Sequence, residues 1–269
     1  MKKVRIMMMS LVAALLVGCG TTSTVPITGR KQTLMVSDGE VLSLANQQYK
    51  EFMATAKKST NATNTAMVQR VGQRLANAVT QYLNANGLSS DVKNFSWEFN
   101  LVADKQVNAW CMPGGKIVVY EGLLPVTQDE GSLAIVLGHE IAHAVAKHSA
   151  EQLSTKMRQQ QGLQIGTAIA GALGMGQNTQ SIVETVAALN FNFGNLKYSR
   201  DHENEADHIG LIITAMAGYD PQVALPFWQR MAASSSQQTV EFLSDHPSDA
   251  TRINNITKWM PEALKYYKK

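Results

Sequence analysis

The sequence predicts an α+β fold, mostly helical, with a small antiparallel or mixed sheet of about three strands. Apolar residues three and four positions apart within residues 65–84 indicate an amphipathic helix. The alternation of Trp97, Phe99 and Leu101 with polar residues indicates a strand. The 269 residues are 45% hydrophobic and 17% charged, so the chain can bury a core and is not of low complexity.

The first 18 residues have the pattern of a lipoprotein signal peptide. Basic residues precede an apolar stretch over residues 6–17, and residues 16–19 have the sequence Leu-Val-Gly-Cys. We expect cleavage before Cys19, whose acyl chains would then anchor the protein to a membrane. An uncleaved N-terminal anchor is the alternative interpretation.

The predicted anchor places the protein in the bacterial cell envelope. Gly20, rather than Asp, after the lipidated cysteine resembles lipoproteins sent to the outer membrane, so we expect the domain to face the periplasm. Loss of the leader removes three positive charges from a net charge of +3, which leaves no basic excess for binding nucleic acid. Because lipidation uses one of the two cysteines, a disulfide scaffold is excluded.

The rest of the chain divides into a short tether and one domain. Residues 19–37 are rich in Thr, Gly, Pro and Ser, which predicts a lipidated tether before a domain over residues 38–269. Thr127 and Glu130 have the spacing of a capping box at the start of a helix. In the first half of the domain we predict helices over 38–57, 65–84 and 127–147 and strands over 97–101, 107–111 and 116–120.

The second half of the domain is predicted to be helical with interruptions. Residues 162–176 are rich in Gly and Ala and are too few to span a bilayer, which favours a helical hairpin or a flap over an interfacial membrane contact. A helix is expected over residues 199–218. Pro226 disfavours an unbroken helix after it, and Pro261 is expected to interrupt the C-terminal helix.

Residues 138–143 have the sequence Gly-His-Glu-Ile-Ala-His, which contains a His-Glu-x-x-His pattern. His139 and His143 project from one helix face one turn apart, so both imidazoles can bind one metal ion. Glu140 lies about 100° around the helix and can reach a water on that metal to take its proton. A solvent-facing stripe is the weaker alternative, because the flanking residues are apolar and burial of unpartnered polar groups costs several kcal/mol.

A third metal ligand is expected among the acidic residues of segment 201–208. Glu203 shares a face with the apolar positions of this predicted helix, whereas Glu205 points about 200° away from it. We therefore predict that Glu203 is the ligand and that Asp207, one turn on, accepts a hydrogen bond from a ligand imidazole. Asp201 and Glu205 are interpreted as ordinary acidic residues in the first turns of a helix.

The other histidines and the second cysteine have weaker signals. His246 precedes a proline and can donate a proton or hydrogen bond to a developing oxyanion, although a surface position is the alternative. His148 and His208 are predicted on helix surfaces and His202 at a helix entrance. Cys111 can bind zinc in principle, but we interpret it as a small buried apolar residue.

In these motifs the sequence resembles metallopeptidase family 48, the group of membrane-associated gluzincins that includes HtpX, Oma and BepA. The resemblance extends from Val25 to Ile253, and the absence of further domains is similar to the small lipoprotein members of the family. Its strongest matches are Gly-His-Glu-Ile-Ala-His at 138–143 and Glu-Asn-Glu-Ala-Asp at 203–207, followed by segments 25–30, 108–115, 244–247 and 252–253.

The resemblance implies a zincin-like fold, one Zn²⁺ per chain and endopeptidase activity, with Glu203 as ligand, Asp207 behind the ligands and His246 as a transition-state stabiliser. With the leader, it predicts a zinc metalloendopeptidase that hydrolyses unfolded or misfolded envelope proteins. One alternative is a zinc-containing lipoprotein that binds misfolded proteins without cutting them. Another is an interaction protein with a structural metal, for which a closed site with four protein ligands would be expected.

The substrate is expected to bind along a strand edge. Asn108, Ala109 and Trp110 precede a Pro-Gly-Gly turn, where an extended peptide can add to the sheet through backbone hydrogen bonds. The resemblance implies the same placement beside the substrate cleft. The alternative is that Asn108 closes a turn and that Trp110 packs in the core.

Overall fold

The protein is described by a computed structural model that covers residues 20–170, 189–194, 196–234, 242–243, 246 and 250–268. For residues 161–170, 234 and 250 the structure describes the backbone alone. The predicted signal peptide over residues 1–18 and the predicted lipid attachment at Cys19 lie outside the described residues.

Helices form most of the described chain, and two short 3₁₀ turns connect them. The strands are β1 (Thr21–Thr24), β2 (Lys31–Leu34), β3 (Glu98–Val102), β4 (Ala109–Met112) and β5 (Lys116–Tyr120). The helices are α1 (Asp38–Thr55), α2 (Ala62–Ala85), α3 (Ser89–Val92), α4 (Leu124–Thr127), α5 (Glu130–Val145), α6 (His148–Ala170), α7 (Arg200–Met216), α8 (Ala224–Ser234) and α9 (Ala250–Ala263). This arrangement confirms the predicted α+β class.

The three predicted central strands form one mixed sheet in the order β3-β5-β4. β5 pairs in parallel with β3 and antiparallel with β4, which leaves β4 as an edge strand of this sheet. Alternate side chains of the three strands enter two different apolar clusters. Ile117 and Val119 pack in the larger cluster with α2, α5 and α7, whereas Val118 packs with α1 in the smaller one.

Helices α5 and α7 approach each other most closely at two glycines. A Cβ atom on Gly210 of α7 would lie 2.7 Å from the backbone nitrogen of His139, and one on Gly138 of α5 would lie 2.8 Å from the carbonyl oxygen of Gly210. Only residues without a side chain permit this backbone contact. The contact places the polar face of α5 directly against the first turns of α7.

Residues 20–37 differ from the predicted tether, because β1 and β2 pair as an antiparallel hairpin. The hairpin packs on the domain: Val25 is buried in the larger apolar cluster, and the side chain of Gln32 donates a hydrogen bond to the carbonyl of Ala146 at 3.0 Å. Arg30 forms an ion pair with Glu151 of α6 at 2.7 Å. Composition alone suggested a flexible segment because these long-range partners are invisible in the local sequence.

The start of the histidine-bearing helix was predicted at the wrong residue. Thr127 ends the short helix α4, and Gln128 adopts a positive φ of 67° that separates α4 from α5. Asp129 is the N-cap of α5 and accepts a hydrogen bond from the backbone N–H of Ser132. The capping role therefore belongs to Asp129, because the backbone at Gln128 interrupts the helix after Thr127.

Of the two helix interruptions predicted at prolines, the one at Pro261 is wrong, because α9 continues through that residue. The segment after Asp220 is not one unbroken α-helix, since a 3₁₀ helix over Pro221–Val223 precedes α8. Pro226 lies in the first turn of α8, where its missing N–H needs no partner in the helix. Pro261 lies two residues before the end of α9, so few helical hydrogen bonds follow it. Of the segment predicted as a hairpin or flap, residues 162–170 continue α6, and the remainder lies outside the described residues. Within the described ranges, no helix has the length and apolar character needed to cross a membrane.

We expect Gly210→Ala to destabilise the protein, because the new methyl group meets backbone atoms of α5 that cannot rotate away. Overpacking of this kind typically costs about 1–3 kcal/mol. Gly39→Ala is the matched control, since no atom lies within 4 Å of the added Cβ in α1. Thermal unfolding should show a lower midpoint for Gly210→Ala alone, and an unchanged midpoint would contradict the close contact of α5 and α7.

Candidate active site

Four buried side chains converge at one point: two come from α5, one comes from α7, and the fourth is His246. His139 and His143 project from α5 with their Nε2 atoms 3.1 Å apart. Glu203 reaches them from α7, with carboxylate oxygens 3.4 Å from each Nε2 atom. The Nδ1 atom of His246 lies 3.1 Å from Nε2 of His139 and 2.9 Å from Oε1 of Glu203. One possible ligand atom from each residue lies within 4.8 Å of all the others.

Glu140 lies beside this cluster and is itself buried. Its Oε1 atom has no hydrogen-bond partner among the residues that the structure describes, and it lies 3.5 Å from Nε2 of His246. Burial raises the pKa of the Glu140 carboxyl, while the charges of His246 and His139 and the backbone amide of Cys111 act to lower it. An unpartnered buried carboxylate oxygen is costly unless a ligand or a water occupies the space in front of it.

Asp207 and Arg252 stand behind the cluster. Asp207 accepts a hydrogen bond from Nδ1 of His139 at 2.8 Å, which leaves the Nε2 lone pair of that imidazole directed into the cluster. The buried guanidinium of Arg252 bridges Asp207 at 2.6 Å and Glu203 at 2.8 Å and lies over the ring of Trp228. The geometry matches the predicted placement of Asp207, but the sequence analysis assigned no role to Arg252.

The charges of the cluster favour a bound cation. Burial raises the pKa of Glu203, but the charge of His246 and hydrogen bonds from the histidines outweigh burial and hold that pKa far below its usual range. Burial lowers the pKa of His139, but Asp207 and Glu203 together raise it to about 9. The buried carboxylates thus attract a positive charge to Nε2 of His139. Imidazole nitrogens and a carboxylate are suitable ligands for a transition-metal ion, so His139, His143, Glu203 and His246 can hold one.

A cleft of about 300 Å³ opens beside Glu140 and His246. Its wall includes the three residues predicted to bind substrate, namely Asn108, Ala109 and Trp110. Phe193, Gly194, Leu196 and Tyr198 also line the cleft. The structure therefore brings the predicted strand edge and the predicted catalytic residues to one cleft.

The outer edge of β4 faces this cleft with its backbone groups. The carbonyl of Asn108 accepts a hydrogen bond from the N–H of Tyr120, so by alternation Trp110 also pairs with β5. Ala109 and Cys111 then direct their N–H and C=O groups away from β5. The indole of Trp110 packs against Phe52 at a centroid distance of 5.0 Å. This contact agrees with the alternative interpretation, in which Trp110 packs in the core.

His148, predicted on a helix surface, and Glu205, interpreted as an ordinary acidic residue in the first turns of a helix, are both buried next to the cluster. His148 is 0% exposed, and its Nδ1 atom lies 2.9 Å from Nδ1 of His143. Glu205 accepts a hydrogen bond from Nε2 of His148 at 2.9 Å. Both predictions were wrong because α7 is covered on two sides, by α5 on one and by α6 with the β1-β2 hairpin on the other.

The structure agrees with the predicted environments of Cys111, His202 and His208 better than with those of His148 and Glu205. Cys111 is buried in the larger apolar cluster, and burial raises the pKa of its thiol. His202 lies in the first turn of α7 and contacts Glu151 at 3.0 Å, while His208 contacts Glu262 at 2.7 Å. Tyr198 was not considered from the sequence, although its ring stacks on His143 with a centroid distance of 4.0 Å.

Comparisons with known proteins agree with the geometry. Peptidase family M48 matches residues 61–260 of this chain. The mitochondrial metalloendopeptidase OMA1 of Schizosaccharomyces pombe is 34% identical over 245 residues, which are 89% of this chain and 66% of that protein. The human mitochondrial metalloendopeptidase OMA1 is 30% identical over 248 residues, or 89% of this chain and 46% of that protein. The β-barrel assembly-enhancing protease of Escherichia coli is 23% identical over 253 residues, which are 91% of this chain and 50% of that protein.

This chain thus spans between 46% and 66% of the length of these relatives. The family match includes α5, α7 and all four residues of the buried cluster. It also includes β4 and the cleft beside Glu140. The chain therefore belongs to peptidase family M48, the metallopeptidase family that its sequence motifs resemble.

Proposed function

We propose that the protein is a zinc-dependent endopeptidase of the bacterial cell envelope, anchored by lipid at Cys19, that hydrolyses unfolded or misfolded envelope proteins. The observation that carries the proposal is the convergence of His139, His143 and Glu203 beside the unpartnered carboxylate of Glu140. Two imidazoles and one carboxylate are a common ligand set of catalytic zinc. A zinc ion bound there would supply Lewis acidity to the attacking water and to the scissile carbonyl.

Glu140 is the proposed general base. Its buried position and raised pKa suit a carboxyl group that takes a proton from the attacking water and passes it to the leaving amine. The space in front of its Oε1 atom is where that water would lie. Asp207 keeps the His139 ring oriented through the hydrogen bond to Nδ1, and Arg252 balances the charge of both carboxylates behind the ring.

His246 supports two different functions. Its Nε2 atom faces Glu140, from where it can donate a hydrogen bond to an oxyanion formed in the cleft, as proposed for a transition-state stabiliser. Its Nδ1 atom faces the other three ligands and can complete a closed site with four protein ligands. This second contact is the observation that favours a different function, an interaction protein whose metal has a structural role.

The proposed substrate is an extended polypeptide that adds to β4. The outward backbone groups of Ala109 lie on the wall of the cleft that also contains Glu140 and His246. Backbone hydrogen bonds select for extended conformation rather than for side chains, which suits a protease that acts on unfolded chains. The side chain of Asn108 accepts a hydrogen bond from the N–H of Ala109 at 2.8 Å and would have to release that group to the substrate.

The proposed location depends on the leader. Its lipobox at residues 16–19 supports lipid attachment, and Gly20 supports sorting to an outer membrane with the domain facing the periplasm. The Escherichia coli relative is a β-barrel assembly-enhancing protease, which supports an envelope role. The β1-β2 hairpin begins at Thr21, so the anchor and the folded domain would be separated by very few residues.

We expect Glu140→Gln to keep about one zinc per chain and to lower kcat/KM for an unfolded polypeptide such as β-casein by at least about 10²-fold. The amide has the shape of the carboxyl group but cannot accept the proton. Metal analysis and a peptidase assay of parent and variant measure both quantities. Equal cleavage by both proteins would contradict the role of Glu140 as general base, and no cleavage by the zinc-loaded parent would favour a lipoprotein that binds polypeptides without cutting them.

Strand addition at β4 can be tested with a peptide-like inhibitor bound to the protein. We expect the inhibitor backbone to make hydrogen bonds with residues 108–111, because the backbone groups of Ala109 point away from β5 and Asn108 can release the N–H of Ala109. A crystal structure of the complex gives the distances. An inhibitor backbone beyond hydrogen-bond distance from these residues would falsify strand addition without affecting the proposed metal chemistry.

Lipid anchoring predicts the mass of the mature protein. Protein extracted from membranes should begin at Cys19 and carry the additional mass of acyl chains, whereas Cys19→Ala should appear in the soluble fraction. Intact-mass spectrometry and membrane fractionation test both statements. A chain that retains its first 18 residues and lacks acyl mass would support the uncleaved anchor.

A further inference from the structure

A chain of hydrogen bonds runs from the metal-binding cluster to the N-terminal hairpin. It begins at His143, whose Nδ1 atom lies 2.9 Å from Nδ1 of His148. It continues from Nε2 of His148 to Oε2 of Glu205 at 2.9 Å. Glu205 then accepts hydrogen bonds from Nε of Arg30 at 2.8 Å and from the hydroxyl of Thr28 at 2.6 Å.

We propose that His148 and Glu205 are positioning residues, which hold the imidazole of His143 in the tautomer that binds the metal, and that Thr28 and Arg30 hold Glu205 in place. The inference rests on the proposed metal role of His143. It assigns a purpose to the sequence segment 25–30, which the catalytic mechanism leaves unexplained.

The tautomers of His143 and His148 follow from the donors and acceptors in this series of hydrogen bonds. The ionised carboxylate of Glu205 can only accept hydrogen bonds, so Nε2 of His148 carries a proton. In a neutral imidazole the other nitrogen is then an acceptor, so Nδ1 of His148 accepts the Nδ1–H of His143. His143 is left with a free lone pair on Nε2, which is the atom that faces Glu203 at 3.4 Å.

The opposite tautomer would direct an N–H group of His143 into the cluster and block metal binding. His139 reaches the required tautomer directly, through its hydrogen bond to Asp207. Among the residues that the structure describes, no carboxylate lies that close to Nδ1 of His143, and His148 extends the reach of Glu205 by the width of one ring. Both ligand imidazoles are thus oriented by a carboxylate of α7, one directly and one through a second histidine.

The hairpin determines which way Glu205 faces. Arg30 contacts Glu205 with Nε and holds Glu151 of α6 with both terminal nitrogens at 2.9 and 2.7 Å. A guanidinium fixed at two carboxylates has little freedom, and it donates to the same Oε2 atom that accepts from His148. The stacking of Tyr198 on His143 restrains the plane of that ring, while the hydrogen bond to His148 restrains its rotation within the plane.

The affinity for Co²⁺, measured by competition with a chelator, tests the proposal together with the visible absorption of the bound Co²⁺. We expect His148→Leu to weaken Co²⁺ binding by about 10–100-fold and to change the absorption spectrum, because the His143 ring is no longer oriented. His148→Asn retains an oxygen acceptor near the position of Nδ1 and should recover most of the affinity. His208→Asn is the matched control, since it removes a comparable histidine–carboxylate hydrogen bond, to Glu262, and should bind as the parent does.

Circular dichroism of the metal-free proteins shows whether each variant folds. If His148→Leu does not fold, Glu205→Ala decides instead, because the side chain of Arg30 is 35% exposed and water can replace the lost carboxylate there. We expect about a 10-fold weaker affinity for Glu205→Ala and partial recovery in Glu205→Gln.

The positioning role would be overturned if a folded His148→Leu bound Co²⁺ with the affinity and spectrum of the parent. If His148→Leu does not fold, the same result in Glu205→Ala would overturn it. If the parent itself binds no Co²⁺, the proposed metal function fails, and this inference fails with it. The two failures are therefore distinguished by the parent alone.

Discussion

The contact between Gly138 and Gly210 is the constraint on which the site depends. It brings the backbones of α5 and α7 within van der Waals distance, and His139 follows Gly138 directly in the chain. Glu203 and Asp207 lie on α7 within two turns of Gly210, so the same crossing sets their distance from the histidines of α5. A wider separation of the two helices would remove the 2.8 Å contact between Asp207 and His139.

Burial makes each charged group of the site depend on its partners. Removal of one partner from a buried ion pair typically costs about 3–5 kcal/mol, because the remaining charge is left without solvent. This cost applies to Arg252, which balances Glu203 and Asp207 and is 3% exposed. Arg30 balances Glu205 and Glu151 at the surface, where its 35% exposed side chain is reached by water. The two arginines come from opposite ends of the described chain. Closure of the site therefore requires the N-terminal hairpin and α9 to pack on the same pair of central helices.

Local sequence patterns predicted much of this arrangement. The helical spacing of His139 and His143, the strand alternation near Trp97 and the shared face of Glu203 and Asp207 are set by nearest neighbours along one element. They could be inferred because backbone geometry alone fixes them. The predicted fold class and the three central strands were confirmed for the same reason.

The errors concern residues whose environment comes from distant segments. Glu205 and His148 appear to be surface residues until the β1-β2 hairpin covers them, and Thr28 lies 177 positions from Glu205 in the chain. Arg252 has no local pattern at all, since its partners are on α7. A helix has more than one buried face when several elements pack around it, and periodicity within a single helix cannot reveal how many neighbours it has.

Strand β4 connects the chemistry with substrate placement. Its inner edge pairs with β5 in a core that resists deformation, so its outer edge has a fixed position. Along that outer edge, the amide of Cys111 faces the carboxyl group of Glu140, and the backbone groups of Ala109 face the cleft. In the proposed function, a peptide added at Ala109 would therefore be held on the same strand that contacts Glu140, the proposed general base. Proton transfer needs a base within about 3 Å of the water, and this shared strand provides a physical reason why an extended chain of any sequence can meet that requirement.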